Sequence, residues 1–180
     1  PWLRINVCRD RIALIMLAIS RVFRGLTGPL WPAAPPEFPS DEALLGRPAA
    51  APDPDLMART ITGKVVMVTG AGGSIGSELC RQILPLRPKA IVLLDHSEFA
   101  LYRCHHELSI ARAEVSTPPT LIPVLGSVTD PRLVDRTLAS AGVQTIYHAA
   151  AYKHVPLLET NIAVGVENNV FGTNVVTRAA

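Results

Sequence analysis

The chain has 180 residues, enough for one domain of ordinary size or for most of one plus a tail. Hydrophobic residues make up 48% and charged residues 18%, which excludes a disordered or fibrous chain. Lys+Arg 17 against Asp+Glu 15 leaves +2, too balanced for nucleic acid or an anionic membrane as the main partner.

Residues 1–28 carry Ile12, Ile15, Met16, Ile19, Val22, Phe23 and Leu26 at helical spacing, with Arg11, Arg21 and Arg24 among them. The uninterrupted apolar run Ile12–Ile19 is far below the ~20 residues that span a bilayer. A helix packed on another domain is the plainer reading, and a basic helix on a membrane surface is the alternative. The chain begins at Pro1 and shows no small-residue cleavage site after the run, so a signal peptide fits poorly and a fragment of a longer protein is expected. Residues 29–60 hold prolines at 29, 32, 35, 36, 39, 48, 52 and 54. Each removes an N–H donor and fixes φ, which predicts an extended Pro-rich linker.

From 61 to 180, strand-like and helix-like segments alternate, the pattern of a parallel sheet with crossover helices. Lys64–Thr69, Ala90–Asp95, Leu121–Leu125 and Thr145–His148 read as strands. Helices are expected over Ser74–Leu84, after the N-cap Ser97 with Leu101, Cys104 and Leu108 inward, and from Asp130-Pro131 to Gly142. A fourth begins near Asn161. Pro123 lacks a ladder donor and belongs on an edge strand, as the third strand is in the order 3-2-1-4-5-6. The expected fold class is α/β, a Rossmann-type doubly wound parallel sheet, incomplete at about four strands.

Thr69-Gly70-Ala71-Gly72-Gly73-Ser74-Ile75-Gly76 follows the first strand, a T-G-x-x-G-x-x-G turn. Gly70 permits the tight turn, Gly73 the approach of backbone to a pyrophosphate, and Gly76 close packing of helix on sheet. The N–H groups of Ser74 and Ile75 would open the helix toward phosphate. No Gly-Lys-Ser/Thr follows, which excludes a triphosphatase loop.

Asp95 ends the second strand 19 residues past Gly76, where a carboxylate would bond the adenosine ribose and repel a 2′-phosphate. NAD is therefore the expected cofactor rather than NADP, with His96 and Ser97 alongside. Ser127 and Val128 follow the third strand, where an adenine edge would lie. Ala149, Ala150 and Ala151 follow the fourth, where small side chains leave room for the nicotinamide ribose. His105, His106 and Glu107 lack ligand spacing, so no metal site is expected. Three cysteines, Cys8, Cys80 and Cys104, share no C-x-x-C spacing; neither a disulfide framework nor a cysteine zinc site is expected, and a reducing compartment fits.

Residues 61–180 resemble the extended short-chain dehydrogenase/reductase superfamily, and closely its CapD-like polysaccharide-biosynthesis branch of nucleotide-sugar epimerases and 4,6-dehydratases. The resemblance rests on Val68–Glu78, Asp95-His96-Ser97-Glu98, and above all Ala150-Ala151-Tyr152-Lys153-His154-Val155-Pro156. Asn169-Val170-Phe171-Gly172-Thr173-Asn174 is similar to the family's N-x-x-G-T-x-N stretch, and Leu44–Arg47 with Pro52–Asp55 to the connector of its membrane-bound members. It implies NAD, a UDP-sugar substrate, a homo-oligomer, and a cytoplasmic site on a protein that is inner-membrane anchored through a part lying outside these residues. For a dehydratase it implies oxidation at sugar C4, loss of water across C5 and C6, and return of hydride to C6. The alternatives are a 4-epimerase and a catalytically silent NAD-binding protein.

The resemblance also places Lys153 in the site. The Tyr/Met-x-x-x-Lys pair and the Thr/Ser-Asp-Lys segment of the branch have no match here: four past Tyr102, Tyr147 and Tyr152 stand His106, Ala151 and Pro156. No catalytic residue is assigned. The chain alone is expected to be inactive, with the fourth strand at an open edge and Val166, Val170 and Val175 incompletely covered.

Overall fold

The computed structural model describes residues 43–44, 46–48 and 53–180. The expected helix over 1–28 and most of the expected linker lie outside these. The chain divides into two compact units, Pro1–Ala51 and Pro52–Ala180. Of the first, Ala43 and Leu44 are helical and Gly46 has a φ of 63°.

The second unit opens with a helix, α1 (Pro54–Ile61), in the last stretch of what the proline density predicts to be linker. The reason is local. The Asp53 carboxylate accepts from the N–H groups of Asp55 and Leu56, and Pro54 occupies the first turn, where its missing donor costs nothing. Thr60 then ties α1 to the sheet: its carbonyl accepts from the Thr145 hydroxyl at 2.7 Å, and Ile61 is buried in the core.

Four strands follow, β1 (Val65–Thr69), β2 (Ala90–Asp95), β3 (Thr120–Leu125) and β4 (Thr145–His148). They form one parallel sheet in the order β3-β2-β1-β4. Pro123 lies on the edge strand β3, opposite Leu93, as a residue without a ladder donor must. Among the described residues β4 is the other edge.

The intervening helices are α2 (Ser74–Ile83), α3 (Glu98–Ala111) and α4 (Pro131–Ala141). Every residue of β1 and β2 is buried, and the strand period of two sorts their side chains between two cores. Val66, Val68, Ile91 and Leu93 pack with Cys80, Ile83, Leu101, Cys104 and Leu108 of α2 and α3. Val65, Met67, Val92 and Leu94 pack on the opposite face with Val128 and Val176.

A short helix that the sequence reading did not expect, α5 (Val155–Thr160), precedes the expected fourth one, which runs from Ile162 to Ala179 as α6 (Ile162–Val166), a π-turn over Glu167–Phe171, and α7 (Gly172–Ala179). Val166 and Val170 are exposed as expected, whereas Val175 is half-buried. No helix among the described residues is long and apolar enough to cross a membrane.

Candidate functional site

The direction in which successive strands are added reverses at β1: the crossovers run β1 to β2 to β3, then return to β4 on the other side. At the carboxyl end of such a switch point the loops diverge and leave a crevice. Here it has a volume of about 220 Å³ and is lined by Gly70, Gly72 and Gly73, Asp95–Ser97, Ala149–Tyr152 and Asn168, with Ala100 behind.

The glycine loop forms one wall. Gly70 has a φ of 65°, and a Cβ there would meet the backbone of Ala149 and Ala150 at 2.8 Å. Gly72 is as constrained, since a Cβ would stand 2.6 Å from Ala100. Gly73 is the N-cap of α2 and has no side chain to satisfy the first-turn donors, including those of Ser74 and Ile75. That uncapped helix start, beside backbone that no Cβ obstructs, fits an anionic pyrophosphate. Gly76 does not line the crevice; it lies beneath, with Gly70 packed against it.

Asp95 departs from the simple expectation of a carboxylate waiting for ribose. Its Oδ2 accepts from the Gly72 N–H and its Oδ1 from the Ser97 N–H, both at 2.8 Å. Only 6% of it is exposed. It thus holds the glycine loop to the end of β2 and sets the N-cap Ser97, whose hydroxyl accepts from Ala100 N–H. A carboxylate has about four acceptor directions; two are taken here and His96 Nδ1 stands 3.6 Å from Oδ1, which leaves acceptor capacity for a ligand's hydroxyl. Asp95 is both brace and candidate ligand.

Ser127 and Val128 line a narrow cleft continuous with the crevice through Gly70, Asp95, His96, Ala150 and Asn168. The Ser127 hydroxyl is turned to Thr129, accepting its N–H at 3.1 Å. Lys153 does not reach the crevice. It lines a neighbouring groove of about 310 Å³ with Tyr152, His154, Leu157, Leu158, Asn161 and Val164, joined to the crevice through Ala151 and Tyr152. Among the described residues no cluster of His, Cys, Asp and Glu could hold a metal.

Sequence reasoning left out Gly72, Ala100, Tyr152 and Asn168 as lining residues, and His148 as a strut. His148 Nδ1 lies 2.7 Å from the Thr69 hydroxyl and Nε2 3.0 Å from the Thr173 hydroxyl. Thr173 donates its one hydrogen to the Asn169 carbonyl, so it accepts from Nε2–H, and Nδ1 accepts from Thr69. This neutral tautomer ties β1, β4 and α7 together.

Although more than a third of His148 is exposed, partial desolvation holds its pKa below that of an ordinary histidine. The unfolded chain therefore takes the proton more readily. The stability that His148 contributes is complete above about pH 6.5 and is lost as pH falls through that value toward its folded pKa. Melting temperatures measured at pH 7.5 and 5.5 should drop more for the wild type than for His148→Gln. Equal drops would remove His148 from this role.

The profile of a family described as "Polysaccharide biosynthesis protein" matches residues 66–180. Capsular polysaccharide biosynthesis protein CapD of Staphylococcus aureus is 40% identical over 139 residues, which is 77% of this chain and 23% of that protein. The chain thus spans about a quarter of that relative. Among solved structures, Pen from Bacillus thuringiensis superposes with a TM-score of 0.58 at 25% identity, over 67% of this chain and 34% of that one. The Bordetella bronchiseptica enzyme WbmG in complex with NAD gives 0.50 at 26% identity, over 66% and 34%.

Proposed function

The chain belongs to the polysaccharide biosynthesis protein family, and on that premise we propose that it is the NAD-binding part of a nucleotide-sugar enzyme, a UDP-N-acetylhexosamine 4,6-dehydratase of surface-glycan synthesis. The observation that carries the cofactor reading is the crevice itself. An uncapped helix start, two glycines whose Cβ positions are taken, and a buried carboxylate with spare acceptor directions meet at a sheet switch point. WbmG, of the same fold, was solved with NAD. The block Ala150–Pro156 supports the sugar-nucleotide branch.

When bound, NAD supplies a reversible hydride acceptor for the sugar's C4. The chain's part is binding and orientation. The N–H groups of Ser74 and Ile75 would hold the pyrophosphate, which the Cβ-free backbone of Gly72 and Gly73 lets come close. Asp95 would accept from the adenosine ribose, with His96 and Ser97 beside it. Ser127 and Val128 would bound the adenine, and Ala149–Ala151 the nicotinamide ribose. Lys153, in the adjoining groove, would face the sugar-nucleotide side.

The test is to incubate the full-length protein with UDP-N-acetylglucosamine and analyse the products. A 4-keto-6-deoxy sugar nucleotide is the expected result. The C4 epimer alone would replace the dehydratase by a 4-epimerase, and no conversion with any UDP-hexose would favour a silent NAD-binding protein.

A further inference from the structure

Ala149–Tyr152 form the β4 side of the crevice, yet the segment 149–154 has no regular secondary structure to hold it. Ala149 N–H still bonds the Thr69 carbonyl at 3.1 Å, which continues the β1–β4 ladder by one residue. Beyond that point the main chain is fixed from elsewhere. Asn169 Oδ1 accepts from the Tyr152 N–H at 2.8 Å, and Asn169 Nδ2 donates to the Tyr152 carbonyl at 2.9 Å. One amide therefore clips both polar groups of a single loop residue, as a neighbouring strand would.

The orientation of that amide is itself determined. Asn168 Nδ2 donates to Asn169 Oδ1 at 3.0 Å, so Oδ1 receives two donors and Nδ2 is left to face the carbonyl. Both asparagines lie in the π-turn Glu167–Phe171. A π-turn shifts the side-chain phase of a helix, and such turns gather at functional sites. Here Asn168 lines the crevice while Asn169 reaches the loop. Beyond the clip, the Tyr152 ring meets His96 edge to face, with centroids 5.9 Å apart, joining the β4 loop to the β2 loop.

We propose that Asn169 is a positioning residue: through its two hydrogen bonds to Tyr152 it sets the Ala149–Ala151 wall against the dinucleotide. This rests on the NAD reading above and adds to it a residue that need not touch the cofactor. A loop released from its clip would have to be re-ordered on binding, so affinity falls although no ligand contact has been removed.

Two measurements on the full-length protein test it, comparing wild type with Asn169→Ala. The first is amide hydrogen exchange without ligand, which should accelerate over 149–154 while β1 and β2 exchange as before. The second is NAD titration, in which Kd should rise about tenfold, the scale of one to two lost hydrogen bonds, with Tm within ~3 °C of wild type. Unchanged exchange over 149–154 would overturn the clip. Faster exchange with Kd within twofold of wild type would overturn its role in positioning. A wild type that binds no NAD would refute the cofactor reading instead, and the exchange comparison would still decide whether Asn169 holds the loop.

Discussion

Replacing Gly76 with alanine is expected to collapse the glycine loop and much of the fold around it. A Cβ at 76 would overlap the Gly70 carbonyl oxygen, and it would also approach Gly70 C at 2.7 Å and Ala71 Cα at 2.9 Å. All three are main-chain atoms, so no rotamer change relieves the overlap. Either α2 moves away from the sheet, opening the core between Cys80, Ile83 and β1, or the turn at Gly70 unwinds. Gly70 already holds a φ of 65° between Gly76 and the Ala149–Ala150 backbone and has no second position to take. Overpacking of this kind costs about 3 kcal/mol or more. A Tm fall of ~10 °C, measured by thermal denaturation, is the corresponding result, together with loss of NAD binding. A variant melting within ~2 °C of wild type would show that the helix has freedom this packing denies.

Asp95→Ala should come second in effect and should act on folding as well as on binding. It removes the acceptor of two main-chain donors, Gly72 N–H and Ser97 N–H. Gly72 is buried and can recover only part of its loss from solvent. Two hydrogen bonds to a charged acceptor together contribute about 2–4 kcal/mol. Asp95→Asn keeps one acceptor oxygen and turns an N–H₂ toward the other donor, so it should lose about half as much. Chemical denaturation orders the three proteins: wild type, then Asn, then Ala. Equal stability of the Ala variant would mean that Asp95 is a ligand group only.

The sheet was legible because buried parallel strands read as short apolar runs, and because Ser97 and Asp130-Pro131 mark helix starts by their capping chemistry and Gly142 a helix end by its left-handed backbone. Pro123 agrees with the expected strand order for a related reason: a missing donor has few places to go. Asp53-Pro54 carries the same N-cap signature as Asp130-Pro131, but the surrounding prolines mask it, and by proline density alone α1 falls within the linker. Asp95 was recognisable as a strand-end acid. Its bond to Gly72, 23 residues away in sequence, depends on how the two loops converge, which no local pattern encodes. The π-turn was equally hidden, since its period differs from a helix only across one turn. Asn168 and Asn169 therefore acquire their roles only in three dimensions. Lys153 was placed by resemblance at the site, and the fold sets it one groove further along.

If the crevice is an NAD site, Asp95 should select NAD over NADP. Calorimetric titration of the full-length protein with NAD and NADP, in wild type and in Asp95→Asn, tests this in one experiment. The wild type should bind NAD at least about tenfold more tightly than NADP, because a 2′-phosphate would meet a buried carboxylate. The Asn variant, which removes that charge, should narrow the gap. Equal or tighter binding of NADP by the wild type, or a preference that the Asn variant leaves unchanged, would contradict it.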